Sequence, residues 1–319
     1  MSHDTNFQEH FIHANGLRFC VHERGEKDAP AIVFIMGFAC QMTTWPAALL
    51  DRLAAQGYRV ICFDNRDIGL SDSLKSTHRI NIRTAFIKHR LGRRFHATYT
   101  LHDMAHDTVE LMSAMGLARA HLVGASMGGM IAQIIAAKYA DRVASLNLIM
   151  TSTNAPNQPL PHLSVLKEFA KTTGISRSND PIVDRLLRLW KAIQSPGYPK
   201  SDDDIRAMIK ANYKRSYKPS GTIRQLQAIL ATGNIAHLLP YVSAPTLIIH
   251  GKHDPLLPIK NAQIIAKKID LAIHVPIDGM GHDLPEPLLP YFAELIADNT
   301  RQVRASISPN TPPEMTLAV

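Results

Sequence analysis

The 319-residue chain lacks the marks of a secreted, a membrane-spanning or a nucleotide-binding protein. Its three cysteines, Cys20, Cys40 and Cys62, are an odd set with two members in predicted strands, so we expect buried free thiols in a reducing cytoplasm. Residues 1–10 are polar, unlike a signal peptide, and no stretch approaches the ~20 apolar residues that span a bilayer. No glycine loop with a following lysine opens a helix after a strand, as phosphate binding requires. We therefore expect a cytoplasmic protein with no transmembrane segment and no cofactor.

Residues 124–128, Gly-Ala-Ser-Met-Gly, place a serine on a tight turn. The apolar run 120–124 is typical of a buried strand and the run 127–138 of a helix, so Ser126 stands at the strand-to-helix junction. Glycines two positions before and after the serine leave room for the close approach of strand and helix. This setting is typical of a nucleophile whose oxygen projects from the carboxyl edge of a sheet.

A serine hydroxyl becomes a nucleophile only when a base takes its proton and a third group orients the base. His282 lies in a glycine-rich loop after the apolar run 271–276, and Asp254 follows the apolar run 245–251. Both side chains come just after a predicted strand, as Ser126 does, and such loops meet at one edge of a parallel sheet. The sequence therefore predicts a catalytic triad of Ser126, Asp254 and His282.

Each member of this triad also has a plain structural interpretation. Ser126 is a favoured residue at a helix N-terminus, Asp254 before proline is a common turn pair, and a lone His282 in a glycine loop is often structural. Asp278 and Asp283 are rival acids, but neither directly follows a strand and both are close in sequence to the base. The coincidence of three such positions in the order Ser, Asp, His favours the triad.

Acyl transfer also needs two N–H donors for the oxyanion that forms at the attacked carbonyl. The Met127 N–H, at the N-terminus of the predicted helix, is the first candidate, because unpaired amides and the helix dipole favour negative charge there. Phe38 follows the apolar run 31–36 and the glycine after it, so its N–H can turn toward Ser126. A simple strand-ending turn at Gly37 is the alternative.

Strand and helix patterns alternate along most of the chain, which favours an α/β fold with a mostly parallel sheet flanked by helices. Asn15 and Gly16 predict a hairpin turn near the start. The alternation stops between residues 151 and 240, where four helical stretches predict a cap over the site; they are 163–171, 182–193, 202–213 and 222–232. We expect a core of residues 1–150 and 241–300, a helical cap of residues 151–240 and a flexible tail of residues 301–319.

The motifs resemble those of the α/β-hydrolase superfamily. The matching segments are 36–38 (Met-Gly-Phe), 63–71 (Phe-Asp-Asn-Arg-Asp-Ile-Gly-Leu-Ser), 124–129 (Gly-Ala-Ser-Met-Gly-Gly), 250–254 (His-Gly-Lys-His-Asp) and 281–282 (Gly-His). More narrowly, the first two resemble the esterase-like group around the aclacinomycin methylesterases. Many superfamily members have His-Gly where this chain has Met36-Gly37, which leaves the backbone donor unaffected. The resemblance runs from about Phe11 to Asp298 and implies the α/β-hydrolase fold.

The predicted triad and the resemblance to the α/β-hydrolase superfamily together predict a serine hydrolase that cleaves a small-molecule carboxylic ester through an acyl-enzyme. The same triad also serves C–C bond, lactone and thioester hydrolysis, acyl transfer and perhydrolysis. A small-molecule receptor on a hydrolase fold is an alternative from a different class. We expect no nucleic-acid partner.

Four apolar cap residues, Leu163, Leu186, Leu187 and Trp190, are candidates for lining the substrate pocket. The alternative is that they pack the cap helices against one another.

Two other polar clusters have a functional and a structural interpretation. His102 and His106 are one helical turn apart, a spacing that suits a metal, but a solvated helix start also accounts for the pair, and we expect no metal. Residues 64–71 are either a binding loop or a turn whose Asp and Arg side chains bond nearby backbone, and the turn is favoured.

The formal net charge of +8 is unevenly spread. No carboxylate occurs between Asp72 and Asp103, whereas that interval contains Lys75, Arg79, Arg83, Lys88, Arg90, Arg93 and Arg94, interleaved with Ile80, Ile82, Phe86, Ile87 and Leu91. A basic face with apolar groups suits weak association with an anionic surface. The alternative, which the pattern favours, is a solvated helix whose apolar side packs on the cap.

Overall fold

The structure, a computed structural model, describes residues 9–75, 81–172, 180–270 and 272–307. Within these ranges the strands are β1 (Glu9–Ala14), β2 (Leu17–Arg24), β3 (Ala31–Ile35), β4 (Arg59–Phe63), β5 (Ala120–Ala125), β6 (Val143–Ile149), β7 (Thr246–Gly251) and β8 (Ala272–Ile277). The helices are α1 (Ala47–Ala55), α2 (Ile82–Arg90), α3 (Leu101–Ala114), α4 (Met127–Lys138), α5 (Leu163–Thr172), α6 (Ile182–Ile193), α7 (Asp202–Arg215), α8 (Pro219–Thr232), α9 (Lys260–Ala266) and α10 (Leu289–Ile307). Short 3-10 turns cover Met42–Thr44, Ala140–Arg142, Leu239–Tyr241 and Glu286–Leu288.

The strands form one sheet in the order β1-β2-β4-β3-β5-β6-β7-β8. β1 and β2 form the predicted hairpin and pair antiparallel, with Asn15 and Gly16 at positive φ in the turn. From β4 onward the neighbours pair in parallel. Every residue of β3 to β7 is buried, which explains their continuous apolar runs, because helices cover both faces of such a sheet. The predicted α/β-hydrolase fold is confirmed.

Two layers of helices enclose the sheet. Side chains of α3, α4 and α9 belong to the apolar core on one face, and those of α1 and α10 belong to the core on the other. Parallel strands turned the same way bring their carboxyl ends to one edge, where β5, β7 and β8 lead into the loops that carry the predicted triad.

The last helix is longer than the sequence predicts. The expected tail begins at Arg301, yet the backbone stays helical to Ile307. Asn299 and Thr300 are buried, and Asn299 donates hydrogen bonds to the Leu146 carbonyl and to Asn147 Oδ1, which fixes the helix on the sheet. The predicted start of the tail at Arg301 is therefore wrong by at least one helical turn. Residues 308–319 lie outside the described residues.

Helices α5 to α8 lie between β6 and β7, where the sequence predicts them; we call residues 151–240 the cap. Two buried ion pairs join the cap to loop 64–71. Arg224 of α8 donates two hydrogen bonds to Asp67, at 2.8 and 2.6 Å, and Arg215 of α7 lies 2.7 Å from Asp64. Asp64 also accepts the N–H groups of Met42 and Leu70. Loop 64–71 is therefore a hydrogen-bonded turn whose Asp side chains bond backbone, as predicted, with a cap contact that the sequence does not reveal. The prediction is wrong for Arg66, which pairs with the buried side chain of Asp107 in α3 and not with nearby backbone.

Replacing Asp67 with asparagine is expected to lower the free energy of unfolding by about 3–5 kcal/mol, because Arg224 would keep its buried charge without a partner. Asparagine tolerates the positive φ of 71° at this position, so the substitution should not strain the backbone. Urea denaturation measures the loss. Asp184→Asn is the control, since its pair with Arg206 is more than a third exposed and should contribute under ~1 kcal/mol. Equal losses in the two variants would contradict the cap contact.

The three thiols are free, as predicted; Cys20 and Cys62 are buried as expected, and Cys40 is partly buried. Burial raises the pKa of Cys20 to about 12 and that of Cys40 to about 11, which disfavours the reactive thiolate. Among the helices of the described ranges, none combines the length and the apolar character needed to cross a membrane.

Candidate active site

Ser126 occupies a strained turn between β5 and α4. Its φ of 54° and ψ of −117° lie in a region that L-residues rarely adopt. Hydrogen bonds hold it there: its N–H donates to the Ile149 carbonyl at 3.0 Å, and its carbonyl accepts from the Thr151 hydroxyl at 2.7 Å. A Cβ at Gly128 would collide with the Ile35 carbonyl, so the sheet and α4 approach too closely for any larger residue.

The structure brings the three predicted triad residues together. His282 Nδ1 lies 2.7 Å from Asp254 Oδ2, and His282 Nε2 lies 3.1 Å from Ser126 Oγ. His282 and Asp254 are 6% and 3% exposed, so water competes little for these bonds. These distances fit a serine, a base and an orienting acid.

Asp254 is held as an ionised acceptor. Its Oδ1 accepts the N–H groups of Leu256 and Leu257 at 2.9 and 2.7 Å, and its Oδ2 faces His250 Nε2 at 3.4 Å as well as His282. Burial alone would raise the pKa of Asp254, but the His282 charge and the hydrogen bonds from His250 and His282 lower it to about 2. Since the carboxylate only accepts, Nδ1 of His282 carries the proton and Nε2 is left to accept from Ser126.

The rival acids lie elsewhere. Asp278 has a side chain that is 79% exposed and faces Lys252 and His253 at 3.8 and 3.9 Å. Asp283 is buried and accepts hydrogen bonds from the N–H and hydroxyl of Ser195 in the cap.

The cap also fixes the loop that carries His282. The His282 N–H donates to the Ile193 carbonyl at 2.7 Å, and the Gly281 N–H donates to Ser195 Oγ at 2.8 Å. The end of α6 and the residues just after it therefore fix the position of the His282 imidazole. Sequence reasoning missed Ser195, and no local pattern marks it.

The loop after β3 lies against Ser126. A Cβ placed at Gly37 would be 3.2 Å from Ser126 Cβ, so the loop passes the serine in direct contact. Phe38 follows in this loop and Met127 begins α4 directly after Ser126, and their N–H groups stay the predicted oxyanion donors. The cap residue Gln225 accepts the Ala39 N–H at 3.0 Å and donates to the Arg66 carbonyl at 2.9 Å, so the cap also fixes this loop.

Three of the four candidate pocket residues pack between cap helices. Leu163 is 82% exposed. Leu187 is buried against α7, in a small cluster that the partly buried Leu186 and Trp190 join. The structure therefore supports the alternative for these three, which is packing of cap helices on one another, and a pocket role stays a prediction. An aromatic pair lies nearer the site, because the Phe38 ring is 5.7 Å from that of the cap residue Phe169.

The histidine pair does not form a metal cluster in the structure. The ring of His106 stacks on Tyr139, and burial lowers the pKa of His102. Across the described part of the chain, no group of three or more His, Cys, Asp or Glu side chains is placed to hold a metal ion.

Known proteins match this chain over most of its length. A family model described as the alpha/beta hydrolase fold matches residues 30–286. A rhodomycin D methylesterase of Streptomyces sp. (strain C5) is 24% identical over 302 residues, which cover 86% of this chain and 91% of that protein. The 3-oxoadipate enol-lactonase 1 of Acinetobacter baylyi is 26% identical over 284 residues, covering 88% of this chain and 94% of that one. A solved enol-lactonase from Burkholderia xenovorans LB400 aligns with a TM-score of 0.69 at 22% identity, over 92% of this chain and all of that chain. The chain therefore belongs to the α/β hydrolase fold family.

Proposed function

We propose that this chain is a serine hydrolase that cleaves small-molecule carboxylic esters through an acyl-enzyme. The observation that carries the proposal is the continuous hydrogen-bonded path from Ser126 Oγ through His282 to Asp254, at 3.1 and 2.7 Å. The methylesterase name of one relative supports an ester as the substrate.

In the first half-reaction Ser126 Oγ attacks the ester carbonyl carbon while its proton passes to His282 Nε2. The negative charge on the carbonyl oxygen is stabilised by the Met127 and Phe38 N–H groups. The tetrahedral intermediate then expels the alcohol, which takes the proton from Nε2, and the acyl group stays on Ser126.

In the second half-reaction a water molecule attacks the acyl carbon and gives its proton to Nε2. Collapse of the second intermediate releases the acid and returns the proton to Ser126 Oγ. Asp254 accepts the Nδ1 proton throughout, which holds the imidazole in place and stabilises its charged form.

A turnover panel tests the substrate class. It contains p-nitrophenyl esters of graded acyl length, a methyl ester, a lactone and a thioester. Multiple turnover on the esters is the expected result, and a protein that binds them without turnover would contradict the proposal and favour a receptor. Lactone opening is the second candidate because one relative is named an enol-lactonase; a higher kcat/KM on the lactone than on every ester would select it.

Gln225 is expected to position the oxyanion loop from the cap. Gln225→Leu removes the acceptor of the Ala39 N–H, so the neighbouring Phe38 N–H should shift, and a displacement of about 1 Å costs ~100-fold in kcat. KM should change little, because the oxyanion forms only in the transition state. Steady-state kinetics on the best ester measure both.

Asn299→Leu is the matched control, since it removes a buried amide that bonds Leu146 and Asn147 instead. We expect it to lower thermal stability while kcat stays within a few-fold. Gln225→Leu protein with wild-type kcat would show that the cap does not position the oxyanion loop.

A further inference from the structure

Helix α2 has one covered and one uncovered side. Ala85 is buried in a cluster with Leu226 and Leu230 of the cap helix α8. On the other side Ile87 is 58% exposed, and Leu91, just after the helix, is 64% exposed; Phe86 is 40% exposed. The apolar packing on the cap that the sequence favours is therefore present, but it uses a different side of the helix from these three residues. Apolar side chains exposed together mark a contact surface.

The formally charged side chains of this segment of the chain are of one sign. Lys88, Arg93 and Arg94 lie on or just after α2, and the sequence has no carboxylate between Asp72 and Asp103. Arg79, which also belongs to the basic run, lies outside the described residues. We call the set Phe86, Ile87, Lys88, Leu91, Arg93 and Arg94 the α2 surface.

We propose that the α2 surface docks on an anionic phospholipid bilayer. Basic side chains are attracted to anionic headgroups, and the apolar side chains between them enter the boundary with the acyl chains. A second copy of this chain is a poorer occupant, because pairing two α2 surfaces would bring cations against cations.

The inner side of α2 is continuous with the candidate active site. Phe38 and Phe169 pack against the same cluster as Ala85, and Phe38 belongs to the loop that touches Ser126. A bilayer held at the α2 surface would therefore be separated from the loop that touches Ser126 only by helix α2 and this cluster. Membrane binding itself does not depend on the proposed ester hydrolysis.

Co-sedimentation with vesicles tests the docking. The full chain is mixed with vesicles of phosphatidylcholine alone or of phosphatidylcholine with phosphatidylserine. Binding to the anionic vesicles alone is expected, and it should weaken as salt shortens the Debye length from ~30 Å at 0.01 M to ~10 Å at 0.1 M. The double variant Arg93→Gln, Arg94→Gln should lower the partition coefficient about 5-fold per charge, or roughly 25-fold. Arg90 is kept because it donates to the Gln158 carbonyl.

Lys267→Gln with Lys268→Gln is the charge-matched control, because both lysines are exposed at the end of α9. This pair should leave binding near the wild-type level. Ile87→Ser with Leu91→Ser should weaken binding at every salt concentration, since it removes apolar area and no charge, and thermal unfolding checks that each variant is folded.

Three results would overturn the proposal. They are no binding to anionic vesicles at low salt, equal losses in the arginine and lysine pairs, and a wild-type dimer that Ile87→Ser with Leu91→Ser dissociates. The last result would assign the α2 surface to a second copy of the chain.

Discussion

Ser126→Ala is expected to lower ester turnover by about four to six orders of magnitude, because the covalent path needs the serine oxygen. The fold should persist, since the hydrogen bonds that hold this turn use the Ser126 N–H and carbonyl, which alanine keeps. Residual turnover would come from the oxyanion donors and from substrate binding. Steady-state kinetics and thermal unfolding on the same preparation measure the two effects.

Ser145→Ala provides a comparison at another buried serine, which lies in β6 and whose hydroxyl bonds His121 of β5 at 2.8 Å. We expect this variant to lose some stability and to keep its turnover. Folded Ser126→Ala protein with near-normal turnover would refute the covalent mechanism.

Asp254→Asn is the second change with a large expected effect, a loss of about 10⁴-fold in kcat. The two N–H groups of Leu256 and Leu257 select which end of the new amide faces them. Its oxygen accepts their hydrogen bonds, so its NH₂ takes the position of Oδ2 and points at His282. An NH₂ there donates to Nδ1 and leaves the imidazole proton on Nε2. The base can then no longer accept the proton of Ser126.

Asp278→Asn is the control for this prediction, because Asp278 is exposed and makes no contact with the His282 ring among those observed. It should keep wild-type kcat. Equal losses at Asp278 and Asp254 would contradict the assignment of the orienting acid.

The dependence of the rate on acidic pH is an independent test of the role of Asp254. Its pKa is depressed from 3.8 to about 2, so the stabilising interaction with His282 is complete above pH ~4 and is lost only as the pH falls toward 2. A fall in rate at pH values well above 4 therefore cannot be assigned to Asp254.

The triad could be predicted because each of its members follows an apolar strand, and parallel strands bring such positions to one edge. That rule predicts that Ser126, Asp254 and His282 lie close together without knowledge of any side-chain contact. In the structure they are within hydrogen-bond distance of one another. The glycines of the turn also indicate the site. Gly128 is required because a Cβ there would collide with the Ile35 carbonyl of β3.

The cap contacts could not be predicted, because they join positions far apart in the chain. Gln225 and Ala39 are 186 residues apart, and Ser195 and Asp283 are 88 apart. The packing partner of Leu187 could not be predicted for a related reason. The apolar side of α6 identifies residues that become buried but not the element that buries them, which for Leu187 is α7. In the C-terminal helix, polar Asn299 and Thr300 are fixed by hydrogen bonds that composition does not reveal.

Labelling with a fluorophosphonate shows directly whether Ser126 is the nucleophile. Trypsin should release residues 120–138, in which Ser126 is the only side chain with a hydroxyl group. The expected result is one phosphonyl group per inactivated chain, located by mass spectrometry in that peptide. Complete inactivation with the label on another residue, or with peptide 120–138 unmodified, would contradict it.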